Sequence, residues 1–184
     1  WVVVDGSTDG SGEKLEALAA EEPNLRVIRL AKNQGKGAAV LHGAREAAAD
    51  AFTHMLCMDA DGQHPAHMIR DYMAASRAQP KRMVLGKPVF PDNAPKARVY
   101  GRRLANFWVN VFTLWEGVGD CLFGMRVYPI LPFVKAMQRT KWARGYDFDP
   151  DITMRLCWDG VRTKNIDTPV RYLSKDEGGV SHFH

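Results

Sequence analysis

The chain has 184 residues, 46% hydrophobic and 25% charged, with a formal net charge of +4. That is long and apolar enough for a domain with a sizeable core, and it excludes a disordered chain. The mild basic excess suits an acidic ligand such as a nucleotide, a lipid phosphate or an anionic membrane surface, and falls short of what nucleic-acid binding requires.

In chain order, Val2–Val4 is a short apolar strand ending in the turn cluster Asp5-Gly6-Ser7-Thr8-Asp9-Gly10. Glu13–Ala20 has helical apolar spacing, Leu25–Leu30 reads as a second strand, and Lys36–Asp50 as an alanine-rich helix. Thr53–Met58 is a third strand, and Pro65 suits the first position of a helix running through Ala75. Met83–Leu85 is a fourth strand. Strands alternating with helices predict an α/β domain with a largely parallel sheet.

Beyond the proline-rich Pro88–Pro95 loop, Lys96–Trp115 is an amphipathic helix. Its stripe of Val99, Leu104, Phe107, Trp108, Val111, Phe112 and Trp115 is expected to face the core, with a membrane or acceptor groove as the alternative. Asn106 and Asn110 interrupt it, and it is too short an apolar run to span a bilayer. Phe123–Tyr128 reads as a strand, Phe148–Trp158 as a helix, and Val161–Asp167 with Val170–Tyr172 as strands. Residues 1–184 are read as a single domain without repeats or linkers. Its abrupt ends, a strand already under way at Trp1 and no tail after His184, predict a piece of a longer protein.

Cys57, Cys121 and Cys157 are odd in number, far apart and without metal-site spacing, so they read as reduced, mostly buried thiols of a cytoplasmic protein.

Three strand-to-helix connections carry candidate chemistry. Asp59-Ala60-Asp61 follows an apolar strand, where α/β proteins bind ligands at the carboxyl edge of the sheet. Two carboxylates at i and i+2 suit Mg²⁺ or Mn²⁺, which complete their shells with substrate phosphates. Gln63 and His64 can add a ligand or a water contact there, and the plain alternative is a solvated turn. Asp5, with Gly6 and Ser7, can accept from a base N–H or a ribose hydroxyl, or simply cap the next helix. Asn33-Gln34-Gly35-Lys36-Gly37 can turn backbone N–H groups and Lys36 toward an anion, but lacks the Walker A spacing.

In this order the segments VVVDGSTDGS, NQGKGAAVLHGAREAAAD and HMLCMDADGQHP resemble family-2 glycosyltransferases of the GT-A fold, in particular the polyprenyl- and dolichol-phosphate sugar transferase branch. The resemblance is strong through Pro65 and continues to about Tyr172. It implies a Rossmann-like, mostly parallel sheet flanked by helices, and a metal-dependent, inverting transfer from a UDP- or GDP-sugar. Val4 stands where the family often has a first aspartate, and the family's opening strand, with its Asn-Glu pair, has no counterpart here. By the same resemblance Asp5, Gly6, Ser7, Lys36 and Asp59 bind the nucleotide, and Asp59, Asp61 and Gln63 hold the cation against the diphosphate. Arg98, Arg102 and Arg103 then take an acceptor phosphate.

If the acceptor is a hydroxyl, a carboxylate must take its proton, and Asp151, Asp120 and Asp149 are all candidates. A lipid phosphate needs no such base. The resemblance further implies a protein of the cytoplasm or of the inner face of the membrane. Three rival readings remain. One is a nucleotide-sugar-binding module without catalysis. Another is a haloacid-dehalogenase-type phosphatase, for which Gln63 stands where a Thr or Val is needed. The third is a nucleotidyltransferase, for which the Gly-rich Arg/Lys loop is missing.

Overall fold

The computed structural model describes residues 1–170 apart from 92, 93, 95, 141–144 and 146, and of Arg98 only the backbone. Residues 171–172 of the expected Val170–Tyr172 strand and the Arg98 side chain lie outside the described residues. The order of elements is β1 (Val2–Asp5), α1 (Ser11–Glu21), β2 (Val27–Leu30), α2 (Lys36–Ala49), β3 (His54–Cys57), a 3₁₀ turn (Ala66–Met68), α3 (Ile69–Ala78) and β4 (Arg82–Val89). Then come α4 (Lys96–Phe112), β5 (Arg126–Pro129), α5 (Ile130–Gln138), α6 (Phe148–Trp158) and β6 (Arg162–Pro169). Two compact units result: Trp1–Met55 with Pro129–Gly160, and Leu56–Tyr128 with the segment from Val161.

In the first unit β1 and β2 form a parallel ladder, Val2 opposite Val27 and Asp5 opposite Leu30. Helix α2 packs on β1 and on α5. Small residues make this close approach workable: Gly37, Ala38, Ala44 and Ala47 are the buried positions of α2. A Cβ added at Gly43 would already touch Val3 Cγ2 at 3.4 Å. Helix α5 was not foreseen in the sequence. It starts directly after Pro129 and buries Ile130, Phe133, Ala136 and Met137, one stripe at helical spacing. Pro132 lies in its first turn, where a missing N–H costs nothing.

In the second unit the strand order is β3-β5-β4-β6. Strand β4 runs antiparallel to β5 and parallel to β6, which matches the first of the two strands expected near the end of the chain and extends it to Pro169. Met83, Val84 and Leu85 of β4 are fully buried, the near-continuous apolar run of a strand covered on both faces. Val84 joins Tyr72, Phe123, Met125 and Val127 in the core. Tyr72 Oη and Thr168 Oγ1 share a buried hydrogen bond of 2.6 Å, tying α3 to β6. Burial pushes the Tyr72 phenol above its ordinary pKa.

Helix α4 overturns the expected core-facing stripe. Its inward positions are Arg102, Asn106, Val109, Asn110 and Thr113, and its aromatic residues point outward. Tyr100, Leu104, Phe107, Trp108, Phe112 and Trp115 are all exposed, Trp115 at 66%. The reason is polar. Asn110 Nδ2 donates to the Val118 carbonyl at 2.8 Å, and its Oδ1 accepts the Val118 N–H at 3.0 Å. Asn106 Oδ1 accepts the Cys121 N–H at 2.8 Å. Side chains at i, i+4 and i+8 on one face thus supply the hydrogen bonds that the irregular 117–122 loop needs. Among the described residues no helix is long and apolar enough to cross a membrane. The three cysteines carry thiols, and Cys121 alone is fully buried, with Cys57 and Cys157 half-buried.

Candidate functional site

In the first unit Asp5 closes β1, and its carboxylate reaches across to the loop before α2. Oδ1 accepts the Gln34 N–H and Oδ2 the Gly35 N–H, both at 2.8 Å. Gly6, at φ +69°, lies so close to the backbone of Lys32 and Asn33 that any Cβ there would overlap it. Asp5 therefore staples two strand-end loops together, a role its motif did not announce. Ser7 is exposed. Asp9 Oδ1 accepts the Ser11 N–H at 3.0 Å, and the Ser11 hydroxyl, with that N–H adding to it, holds the Asp9 carboxyl below the usual range.

Lys36, the first residue of α2, donates from Nζ to Asp149 Oδ2 at 2.8 Å. Asp149 is buried in the first turn of α6, so one candidate nucleotide ligand and one candidate base are brought together as a pair. Asp151, also in that turn, is half-buried and accepts Arg155 Nε at 2.6 Å, which raises the arginine's pKa.

The second unit carries the Asp59–Asp61 pair just past β3. The Asp59 N–H donates to His64 Nδ1 at 3.0 Å, and Asp61 Oδ1 accepts the Gln63 N–H at 3.0 Å. His64 is buried and meets Phe123 edge-on, ring centroids 4.8 Å apart. Its Nδ1 already serves the loop, so the sequence expectation of His64 as an extra ligand gives way to an inward-facing ring. Gly124 backs this arrangement: an added Cβ would overlap the Asp59 carboxylate and fall 3.0 Å from His64 Cε1.

The donor set fits a hard divalent cation. Asp59 is half-buried and Asp61 exposed, two carboxylates two residues apart with the Gln63 amide beside them. Among the described residues no group of three or more His, Cys, Asp or Glu side chains is placed to hold a metal alone. A two-carboxylate site is the kind that takes its remaining oxygens from substrate phosphate and water.

Asp120 is buried. Its Oδ1 accepts Arg102 Nη1 at 2.7 Å and the Leu122 N–H at 2.9 Å, and its Oδ2 accepts Asn106 Nδ2 at 3.1 Å. Arg102 is held there with its guanidinium 5.6 Å from the Phe90 ring, whereas Arg103 is exposed beside Tyr100. Burial, with the Asp120 charge adding to it, pushes the Cys121 thiol up to about 11. All three base candidates are thus joined to cations: Asp151 by an i,i+4 helix pair, Asp120 across 18 residues, and Asp149 across 113 residues with no local signature.

Residues 1–141 match the model of the Glycosyl transferase family 2. The chain belongs to that family. Members of the family similar to this chain include a polyprenol monophosphomannose synthase of Mycolicibacterium smegmatis, 28% identical over 96% of this chain and 67% of that protein. An undecaprenyl-phosphate mannosyltransferase of Micrococcus luteus is 25% identical over 96% of this chain and 72% of its own length. A dolichol-phosphate mannosyltransferase of Mycosarcoma maydis is 41% identical over 85 residues, 46% of this chain and only 28% of that protein. Among solved structures, glucosyl-3-phosphoglycerate synthase of Mycobacterium tuberculosis in complex with Mn²⁺ and UDP-glucose superposes with a TM-score of 0.57 at 20% identity, covering 97% of this chain and 62% of that one. The fold of this family-2 chain is therefore the α/β, GT-A type expected from its motifs.

Proposed function

We propose that the protein containing this chain transfers a hexose, with inversion, from a nucleoside-diphosphate sugar to a polyprenyl-phosphate acceptor, assisted by Mg²⁺ or Mn²⁺. The observation that carries this is the Asp59–Asp61 pair just past β3 in a family-2 chain that aligns over 96% of its length with an undecaprenyl-phosphate mannosyltransferase and a polyprenol monophosphomannose synthase. Asp59 and Asp61, with Gln63, would hold the cation, and Asp5, Gly6, Ser7 and Lys36 would serve the nucleotide. A cation bound there supplies Lewis-acid stabilisation of the charge developing on the leaving diphosphate.

The ion pairing of the three base candidates favours a phosphate acceptor. Asp149 holds Lys36, Asp151 holds Arg155 and Asp120 holds Arg102. Taking a proton from a hydroxyl would neutralise one carboxylate and strand its partner cation. A lipid phosphate arrives already ionised and asks only to be positioned, which suits Arg98, Arg102 and Arg103 near the start of α4. The exposed aromatic face of the same helix supports peripheral contact with the membrane in which such a lipid resides.

The deciding test is transfer by the full-length protein from UDP- and GDP-sugars, with Mn²⁺ or EDTA, to a short soluble polyprenyl phosphate and to hydroxyl acceptors. Metal-dependent transfer to the polyprenyl phosphate, with a higher acceptor KM in Arg103→Lys, is the expected result. Transfer to hydroxyl acceptors alone would return the base role to Asp151, Asp120 or Asp149. Binding of nucleotide without turnover would leave the non-catalytic module.

A further inference from the structure

A carboxylate that must meet a cation has to be aimed, and two contacts bear on the backbone and the side chain of Asp59. Asp59 lies two residues beyond Cys57, the last residue of β3, outside the ladder. Its backbone N–H is taken by His64 Nδ1 at 3.0 Å, five residues on. A backbone N–H can only donate, so Nδ1 carries no proton and the ring's hydrogen sits on Nε2. The ring cannot drift, because it is buried and stands edge-on against Phe123 at 87°. The Asp59–His64 hydrogen bond spans the 59–64 turn, with the Gln63–Asp61 contact inside it.

The carboxylate is then limited from its other side. Gly124 leaves no room for a Cβ between the Asp59 carboxylate, which it would overlap, and His64 Cε1 at 3.0 Å. Its backbone is not left-handed, so an alanine there would act through space alone, by displacing the Asp59 carboxylate. Phe123 and Gly124 are consecutive, so one short segment supplies both the wall behind the imidazole and the gap in front of the carboxylate.

We propose that His64 and Gly124 are positioning residues that set the backbone and the side-chain direction of Asp59 for cation binding. This rests on the cation role proposed above for Asp59 and Asp61. His64 thereby acts on the metal through the Asp59 main chain, without touching it. Partners that orient a ligand in this way typically govern about 10–100-fold in metal affinity.

The test uses the full-length protein and reads Mn²⁺ directly, by electron paramagnetic resonance and by titration of UDP and GDP with Mn²⁺ or with EDTA. His64→Phe keeps a ring against Phe123 but removes the acceptor. It should weaken Mn²⁺-dependent nucleotide binding about 10–100-fold while affinity in EDTA stays at the wild-type value. His64→Asn, whose Oδ1 lies the same number of bonds from Cα as Nδ1, should restore most of the loss. Gly124→Ala should weaken Mn²⁺ from the opposite side, and it decides the matter should His64→Phe not fold. Wild-type Mn²⁺ affinity in His64→Phe and Gly124→Ala overturns the proposal while leaving the cation role intact. Equal losses with Mn²⁺ and EDTA, unrelieved by His64→Asn, also overturn it, as general damage. A wild-type protein that binds nucleotide no better with Mn²⁺ than without overturns the cation role and the proposal together.

Discussion

The loops that follow β1 and β3 have the same outline: an apolar strand, an aspartate where it ends, then glycine and a turn. They are built by opposite means. After β1 the carboxylate of Asp5 is itself the fastening, both oxygens accepting backbone N–H groups of Gln34 and Gly35. After β3 the fastening is the backbone N–H of Asp59, given to an imidazole, and the side chain is steered by steric limits. Similar letters therefore carry different loads. A carboxylate consumed by the architecture is read by its effect on stability, and one held in place by other atoms is read by its effect on ligands.

Substitutions can break or sharpen that contrast. Asp120 is the extreme architectural case, buried beneath Arg102, Asn106 and the Leu122 N–H. Asp120→Ala strands the Arg102 charge and should cost about 3 kcal/mol of stability, measured by urea unfolding. A loss no greater than that of an ordinary surface substitution would show that the network carries little. Asp61→Asn lies at the other pole. It should lower Mn²⁺-dependent nucleotide affinity about 100-fold, a large share of what a cation ligand supplies, with a melting temperature unchanged. A lowered melting temperature with metal binding retained would make Asp61 architectural too.

Asp5→Ala falls between them. Losing two charge-assisted hydrogen bonds at a half-exposed site should cost about 2 kcal/mol, and Asp5→Asn should recover part of it by keeping one acceptor. If Asp5→Ala instead leaves stability untouched and removes nucleotide binding in EDTA, Asp5 serves the nucleotide without fastening the loops and the contrast collapses. The smallest effect concerns Cys121. A pKa raised to about 11 leaves the neutral thiol dominant at pH 8. Iodoacetamide at that pH should modify Cys121 only in urea, as peptide mapping would reveal.

The strands through β4, the helices α1 to α3 and the Asp59–Asp61 pair were legible because each rests on local pattern. Alternation, capping letters and a carboxylate spacing all lie within a few residues. Helix α5 was hidden by Pro129 and Pro132, which suggest a break although both stand where a helix tolerates proline. Its Ile130, Phe133, Ala136, Met137 spacing held the signal. The stripe on α4 was legible as a stripe, but periodicity cannot say which side faces in. Asn106 and Asn110, read as interruptions, are its inward face. The pairing of Lys36 with Asp149 depends on how the first unit folds and has no local signature. The turning inward of His64 likewise depends on Phe123, far along the chain.

The crossing of Tyr72 over β4 has a consequence for comparing this chain with its kin. A Cβ at Gly86 would overlap the Tyr72 hydroxyl and the edge of Phe123, so the tyrosine reaches Thr168 only because position 86 is vacant. The three positions share one parcel of volume. A family member that acquires alanine or serine at 86 must shed atoms at 72 or 123 in the same lineage, and a phenylalanine at 72 leaves the hydroxyl at 168 with only the Ile166 carbonyl. Aligned sequences should therefore show 72, 86, 123 and 168 changing as a block, a correlated signature recoverable without any further structure.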